Sequence, residues 1–191
     1  MTRIVAGSAG GRRLEVPVSG TRPTSERVRE ALFSRLEHLG VVDGARVLDL
    51  CAGSGALGLE AASRGAIEVA LVDSAKDAVT VCWRNARSLG LAGVRAVRAS
   101  AAGYLAGVAA APVDLVLIDP PYGMSAAGLG AILAPLARAE DPWLAEGSVV
   151  VVERATRSSE PDWPVGLRRF ALKKYGETTV WFAEPSGADN Y

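Results

Sequence analysis

The sequence has few of the side chains that commonly hold metal ions. Among its 191 residues there are one histidine, His38, and two cysteines, Cys51 and Cys82, which do not fall at the close spacing of a zinc site. A structural zinc site needs four such ligands. We therefore expect no bound metal, and we interpret both cysteines as reduced residues of the protein core.

A long apolar run is also missing. No uninterrupted stretch approaches the roughly 20 residues that cross a bilayer, and the first residues, MTRIVAG, lack the apolar centre of a signal peptide. We expect a cytoplasmic protein with no membrane partner. With 191 residues, of which 49% are hydrophobic and 22% charged, the chain suits one globular domain with a full core.

Neither sign of charge is in excess, since 21 basic residues balance 21 acidic ones. The charge is nevertheless unevenly spread, because residues 1–35 hold seven arginines and three glutamates, a local excess of +4. A basic segment on a neutral protein indicates contact with a polyanion on one face. The alternative is a chance cluster on a solvated surface, and the charge alone does not decide between the two.

The first 40 residues predict a hairpin followed by a helix. Two short apolar-basic runs within residues 3–17 flank a glycine-rich turn. Val28, Leu32 and Leu36 then recur at helical spacing up to Gly40, and Thr24 or Ser25 suits the N-cap. For Thr24, a plain capping role and a functional role are both open.

From Arg46 onward a strand, a loop and a helix alternate, which predicts an α/β fold with a doubly wound sheet. We expect seven mainly parallel strands with an antiparallel strand at the C-terminal end. The predicted strands are 46–50, 67–73, 94–98, 113–118, 147–153, 167–174 and 178–184, and the predicted helices are 55–64, 75–89, 101–108 and 126–138.

A glycine loop follows the first of these strands. Gly53, Gly55 and Gly58 have the Gly-x-Gly-x-x-Gly spacing, which lets a backbone turn tightly and approach a ligand. Asp73 ends the next strand, where a carboxylate can accept hydrogen bonds from ribose hydroxyls. This pattern fits NAD and S-adenosylmethionine about equally well.

Asp49 favours S-adenosylmethionine. It lies four residues before Gly53, where a carboxylate would repel the pyrophosphate of a dinucleotide. S-adenosylmethionine has no phosphate and carries a sulfonium and an ammonium group, both of which an acid attracts. The structural alternative is an acid that caps the amides of the loop.

The sequence Asp119-Pro120-Pro121-Tyr122 follows the apolar run 113–118. It restricts the possible reactions more than any other motif in the chain. Ligands of open α/β sheets bind beyond the carboxyl ends of strands. An amine conjugated to a heterocycle is a poor nucleophile, and acceptors on its two N–H groups favour the pyramidal nitrogen that can attack. The Asp119 carboxylate and the Pro120 carbonyl supply such acceptors, and Tyr122 can stack on the base.

These motifs resemble the class I S-adenosylmethionine-dependent methyltransferases that act on exocyclic amines. More narrowly, the chain resembles the RsmD family, bacterial 16S ribosomal RNA guanine-N2-methyltransferases. The resemblance extends over nearly the whole chain. It includes the opening RIVAG, the stretch RPTSERVREALF at 22–33, LDLCAGSG at 48–55, DPPY at 119–122 and YGET at 175–178.

The resemblance implies a class I, Rossmann-like methyltransferase domain over residues 21–185. We expect an RNA-contacting hairpin extension at 1–20 and a frayed tail at 186–191. The donor is then S-adenosylmethionine, and the partner is 16S ribosomal RNA in the small subunit or its assembly intermediate. A monomer is expected. Ser100 stands where many methyltransferases have an aspartate that binds adenine, and Asp73 where a glutamate is common.

The predicted site residues fall into three groups. The catalytic group is Asp119, Pro120, Pro121 and Tyr122. The donor-binding group is Arg22, Thr24, Asp49, Cys51, Gly53, Gly55, Gly58, Asp73, Ser74, Ser100, Ala101 and Asp119. The RNA-binding group is Arg3, Arg12, Arg13, Arg22, Arg27 and Arg29.

Three other functions are left open. A methyltransferase acting on DNA adenine or on a protein glutamine shares the chemistry of the Asp119 motif. A ribosome-assembly factor could keep the fold only to bind RNA, without catalysis. An NAD-dependent oxidoreductase would use the glycine loop alone.

Overall fold

A short hairpin opens the part of the chain described by the computed structural model, which comprises residues 2–18, 25–140 and 142–186. Strands β1 (Thr2–Arg3) and β2 (Arg13–Leu14) pair antiparallel. The predicted hairpin is confirmed, although its paired strands have only two residues each. The Ile4 amide still donates to the Arg12 carbonyl at 2.9 Å, and the chain beyond it, at 5–9, then folds onto a helix of the main domain.

Helix α1 (Glu26–His38) follows, and Ser25 is its N-cap, because the Ser25 hydroxyl accepts a hydrogen bond from the Val28 amide at 3.3 Å. The helix ends before Gly40, whose φ of 72° is left-handed. Two predicted donor-binding residues, Arg22 and Thr24, lie in 19–24, outside the described residues.

The main sheet has seven strands in the order β5-β4-β3-β6-β7-β9-β8. Strand β9 pairs antiparallel with both of its neighbours, whereas the pairs from β5 through β7 are parallel. The predicted doubly wound sheet with an antiparallel C-terminal strand is therefore confirmed. The strands are β3 (Arg46–Leu50), β4 (Glu68–Asp73), β5 (Val94–Arg98), β6 (Val113–Ile118), β7 (Leu144–Ala155), β8 (Leu167–Tyr175) and β9 (Thr178–Pro185).

The helices of the main domain match the predicted ones with shorter ends. They are α2 (Ala56–Ser63), α3 (Lys76–Leu89), α4 (Ala101–Leu105) and α5 (Ala126–Leu136). Helix α4 ends three residues before the predicted boundary, at Leu105. Its last carbonyl accepts hydrogen bonds from the Arg138 guanidinium at 2.8 Å and from the Trp143 indole at 3.1 Å. These distant side chains replace the hydrogen bonds that further helical turns would supply.

Alternating residues of each strand supply two cores, one on each face of the sheet. In β6, Leu115 and Leu117 pack with the hairpin, α1, α2 and α3, whereas Val116 and Ile118 pack with α4 and α5. This alternation is the period of a strand buried on both sides. Among the described residues, no helix is long and apolar enough to cross a membrane.

A buried ion network fastens the hairpin to α2. Both carboxylate oxygens of Glu60 accept backbone hydrogen bonds, from Val5 at 2.8 Å and from Ala6 at 3.0 Å. The same carboxylate pairs with Arg64 at 2.8 Å and with Arg29 at 3.4 Å. Burial lowers the pKa of Arg29, although the charge of Glu60 acts in the opposite direction. The hairpin and the helix after the glycine loop are thus joined through one side chain.

The end of the chain differs from the expected frayed tail at its first residue. The Ser186 amide donates to the Gly166 carbonyl at 2.9 Å, so Ser186 is tied to the loop before β8. The rest of that predicted tail, 187–191, lies outside the described residues.

Candidate active site

Four acids lie at the carboxyl ends of neighbouring strands. Asp49 is the penultimate residue of β3, Asp73 is the last residue of β4, and Asp119 and Glu153 come directly after the paired residues Ile118 and Val152 of β6 and β7. Parallel strands present their carboxyl ends at one edge of a sheet. The fold therefore gathers acids that are far apart in sequence.

The glycine loop has the conformation that its glycines permit. Gly53 and Gly55 have φ values of 57° and 78°, in the left-handed region that costs other residues energy. Cys51 shares this region with a φ of 65° although it has a side chain. A Cβ added to Gly58 would lie 2.3 Å from Leu71 Cδ2, so this glycine lets α2 pack closely on β4.

Asp49 is held beneath the loop. It is 1% exposed, and its carboxylate accepts a hydrogen bond from the Gly58 amide at 2.8 Å. This is the geometry of the structural alternative, an acid that caps the loop. The pKa of Asp49 is raised to about 8, chiefly by burial and also by the charges of Asp119 and Asp73, while the hydrogen bond from the Gly58 amide opposes the shift. Contact between Asp49 and a donor stays a prediction.

The raised pKa of Asp49 predicts a pH-dependent cost to folding. The folded protein keeps the Asp49 proton up to about pH 8, whereas the unfolded chain loses it near the ordinary aspartate pKa of 3.8. Between these limits the unfolded state binds fewer protons, so this group lowers the free energy of unfolding by up to about 1.4 kcal/mol for each unit of pH rise. Asp49→Asn removes the titration and keeps an oxygen for Gly58.

We therefore expect the free energy of unfolding of Asp49→Asn, relative to that of the wild type, to increase as the pH rises. Urea unfolding at about pH 5 and about pH 8 measures the difference. An equal difference at both pH values would mean that Asp49 is ionised throughout.

The other predicted donor-binding residues follow β4 and β5. Asp73 is half-buried, and its carboxylate accepts from the amides of Gly53 and Ala75, each at 2.9 Å, so it braces the glycine loop. Ser74 is exposed beside it. Ser100 caps α4 by accepting from the Gly103 amide at 3.1 Å, and Ala101 is buried behind it. The roles of these residues toward a donor stay predictions.

The electrostatics of this edge suit a cation. The pKa of the Cys51 thiol is raised to about 12, first by burial and then by the charges of Asp73, Asp49 and Asp119. The thiol is thus protonated near neutral pH and is no nucleophile. The carboxylates of Asp73 and Asp119 would repel a pyrophosphate and attract a sulfonium or ammonium group, whereas Asp49 is protonated near neutral pH. The residues present therefore fit S-adenosylmethionine better than NAD.

The Asp119 turn sits between the glycine loop and a cavity. Asp119 is half-buried, Pro120 is buried, and Tyr122 is 65% exposed, with its ring available for stacking. The Pro121 carbonyl accepts from the Met124 amide at 2.9 Å, which closes the turn. Strand β6 lies between β3 and β7, so the turn has the glycine loop on one side and the end of β7 on the other.

The cavity on the β7 side has a volume of about 880 Å³. Its walls are Asp119, Pro120 and Tyr122, the chain at 153–158, the β8–β9 turn at 175–178, and Ser25 and Val28 at the start of α1. The far wall is fixed, because the Thr156 amide donates to the Glu177 carbonyl at 2.8 Å. This volume is large enough for a heterocyclic base.

Sequence reasoning missed Glu153 and the role of the β8–β9 turn. Glu153 follows the apolar run 149–152 just as Asp119 follows 113–118. An acid directly after a buried apolar run was the available signal. The turn could not be found in this way, because its place beside β7 depends on β9 lying between β7 and β8.

The structure contradicts the predicted RNA contact of Arg29. Its side chain is fully buried, pairs with Glu60 and donates to the Arg3 carbonyl, so it cannot reach RNA in this conformation. The prediction is wrong because Arg29 falls on the inner face of α1, with Val28 and Leu32.

The other described arginines of this segment differ in whether their side chains are already engaged within the protein. Arg12 uses its guanidinium to hold the end of α3, donating to the Leu89 carbonyl at 2.9 Å and to the Ser88 carbonyl. Arg3 is paired with Glu26 at 2.9 Å. Arg13 and Arg27 are exposed. The surface cations of residues 2–18 and 25–35 are therefore fewer than the sequence suggested.

Comparison with known proteins gives consistent matches over most of the chain. The family model described as "Conserved hypothetical protein 95" matches residues 2–184. The chain is 37% identical over 177 residues to Ribosomal RNA small subunit methyltransferase D of Escherichia coli strain K12, which covers 92% of this chain and 85% of that protein. It is 34% identical to the protein of the same name from Haemophilus influenzae, over 79% of this chain and 77% of that protein.

Two solved structures are also similar to this chain over nearly its whole length. A protein of Escherichia coli, yhhF, provisionally named a methyltransferase, superposes with a TM-score of 0.81 at 32% identity, covering 96% of this chain and 97% of that one. The hypothetical protein TTHA0928 of Thermus thermophilus superposes with a TM-score of 0.78 at 33% identity, covering 95% and 98%. The resemblance inferred from the motifs is confirmed, and the chain belongs to the RsmD family of methyltransferases.

Proposed function

We propose that this protein transfers a methyl group from S-adenosylmethionine to the exocyclic N2 amine of one guanine in the RNA of the small ribosomal subunit. The observation that carries the proposal is the Asp119-Pro120-Pro121-Tyr122 turn, which separates the glycine loop from a cavity of about 880 Å³. A donor on one side and a base on the other would meet at this turn.

The residues of the turn would make the amine reactive. The Asp119 carboxylate and the Pro120 carbonyl accept hydrogen bonds from the two N–H groups, which favours a pyramidal nitrogen over one conjugated with the ring. The prolines fix the backbone, because their φ is restricted and they have no N–H to compete. Tyr122 stacks on the base, which must be unpaired or turned out of its helix to enter the cavity.

The rest of catalysis is positioning. The bound donor supplies a methyl carbon whose bond to sulfur breaks, with the electron pair staying on sulfur, as the bond to nitrogen forms. The glycine loop and Asp73 would hold this donor so that nitrogen, carbon and sulfur are in line. The proton that the amine loses passes from its hydrogen bond with Asp119 to water. No covalent intermediate with the protein is needed.

The proposed substrate is drawn from the relatives of this chain and from its exposed arginines. Relatives whose alignments cover 92% and 79% of this chain bear the name ribosomal RNA small subunit methyltransferase D. We propose residues 1–20 as an RNA-contacting extension of the domain 21–185, with Arg13 and Arg27 as exposed cations on this side of the molecule. Guanine and its N2 atom rest on the family resemblance and on the chemistry of the turn.

The direct test is to map the methylated nucleotide. Small subunits from cells that lack the enzyme are incubated with the protein and labelled S-adenosylmethionine, and the RNA is digested and analysed by mass spectrometry. We expect one N2-methylguanine. No transfer to subunits or to ribosomal RNA, with donor binding intact, would contradict the proposal.

The two exposed arginines give a prediction about binding. Each phosphate contact that is lost reduces the slope of log K against log salt by about 0.7 to 0.9. We expect Arg13→Ala with Arg27→Ala to weaken subunit binding and lower this slope by up to about 1.8, with donor affinity unchanged. Filter binding at several salt concentrations measures it. Arg168→Ala with Arg169→Ala is the control, because these two arginines are exposed at the start of β8, away from residues 1–20.

A second candidate is methylation of a glutamine amide in a protein. The chain is 44% identical over 107 residues to Release factor glutamine methyltransferase of Rhodospirillum rubrum, which covers 55% of this chain and 30% of that protein. An amide nitrogen is also conjugated, so the same turn could activate it. Competition between small subunits and a release factor for limiting enzyme separates the two functions.

A further inference from the structure

The cavity beside the Asp119 turn contains a second acid at a fixed place. Ile118 of β6 pairs with Val152 of β7, so Asp119, just past the end of β6, and Glu153, within β7, lie at the same level of the sheet. Equivalent residues of neighbouring parallel strands point to the same face, and the strands are about 4.8 Å apart. Glu153 is 7% exposed and lines the cavity together with Asp119.

Glu153 is held more rigidly than Glu177, the third acid of the cavity. It is paired with Val180 of β9, so its backbone lies inside the sheet between β6 and β9. Glu177 is exposed in the β8–β9 turn. Groups on rigid elements position a ligand more accurately than groups on turns. A ligand atom held at Asp119 would therefore have Glu153 as its nearest rigid neighbour on the β7 side.

Guanine offers a donor at this second position. Its N2 amine is bonded to C2, and the adjacent ring atom N1 carries a hydrogen. When Asp119 and Pro120 accept from the amine, an acceptor one strand further along can receive the N1 hydrogen. In adenine and in 2-aminopurine, N1 carries a lone pair instead, which a carboxylate repels. A buried carboxylate at Glu153 would thus select for guanine.

We infer that the cavity is the binding site of the target base and that the Glu153 carboxylate accepts the N1 hydrogen of guanine. The inference rests on the proposed function, since it takes the methylated amine to be N2 of a guanine. Glu153 acts as a specificity residue: it touches the base and does not take part in the bond changes at the methyl group.

The test replaces the target guanine with 2-aminopurine, which keeps the 2-amine and loses the N1 hydrogen. Small subunits are reconstituted with ligated 16S RNA carrying either base at the mapped position. We expect the wild type to favour guanine by roughly 10- to 100-fold in kcat/KM. Glu153→Gln can turn its amide to donate to N1 of 2-aminopurine, so this preference should fall at least about 10-fold or reverse.

Three measurements make the result decisive. Donor affinity, measured by calorimetry, should be the same in Glu153→Gln and the wild type, because Glu153 lies on the far side of β6 from the glycine loop. Glu146→Gln is the matched control, the same substitution at the exposed start of β7, and should keep the wild-type preference. Glu177→Gln tests whether the third acid of the cavity contacts the base instead.

The outcomes separate this inference from the proposed function. A wild type that methylates guanine, with an unchanged base preference in Glu153→Gln, overturns the role of Glu153 alone. A change of preference in Glu177→Gln and not in Glu153→Gln assigns the contact to the turn and also overturns it. A wild type that methylates neither base overturns the proposed function and this inference with it.

Discussion

Asp119→Ala is expected to reduce methyl transfer by about 10²- to 10³-fold while the protein still binds the subunit. The substitution removes one of the two acceptors that hold the amine, so the lone pair stays delocalised into the base and the nitrogen is no longer aimed at the methyl group. Because these interactions strengthen as the nitrogen becomes pyramidal, their loss should lower kcat more than it raises KM. Single-turnover transfer of labelled methyl groups measures the chemical step.

The control for this prediction is Asp162→Ala, which removes an exposed acid from the loop between β7 and β8. It should leave the transfer rate within twofold of the wild type, a value of the order expected for surface changes. A non-catalytic assembly factor predicts something else, namely that Asp119→Ala supports normal subunit assembly in cells and has no transfer activity to lose. Activity that survives Asp119→Ala would contradict the mechanism proposed for the turn.

Glu60→Ala is expected to destabilise the protein by about 3–5 kcal/mol. The Glu60 carboxylate is fully buried and is shared by the fully buried Arg29, by Arg64 and by the amides of Val5 and Ala6. Its removal leaves a buried guanidinium without its nearest opposite charge and two amides without their acceptor. Urea unfolding, followed by circular dichroism, measures the loss in free energy.

Glu68→Ala provides the comparison, because it also deletes a glutamate that pairs with an arginine. Glu68 and Arg46 are 3.5 Å apart, but their side chains are 47% and 42% exposed. A surface pair of this kind contributes about 0–1 kcal/mol. Similar losses in Glu60→Ala and Glu68→Ala would show that the hairpin is not held by the buried network.

Most secondary structure could be predicted from local patterns. The runs 46–50 and 113–118 are mainly apolar, with Arg46, Asp49 and Asp114 as the exceptions, as expected of strands buried on both faces. Both appear with the predicted bounds. The predicted end of a helix was wrong where side chains distant in sequence determine its last residue. Helix α4 stops at Leu105 because its carbonyl is taken by Arg138 and Trp143, which lie more than 30 residues further along the chain.

The sequence by itself determined the α/β class, the strand ends that carry Asp49, Asp73 and Asp119, and the glycine spacing, because each depends on residues that are neighbours in the chain. The tertiary structure decided which of the N-terminal arginines are exposed at the surface. Arg29 and Arg27 look alike in sequence, yet one is buried against Glu60 and the other is exposed, since successive helix positions point in different directions. The cavity and Glu153 likewise depend on strand order, which places the β8–β9 turn beside the Asp119 motif although more than 50 residues separate them in sequence.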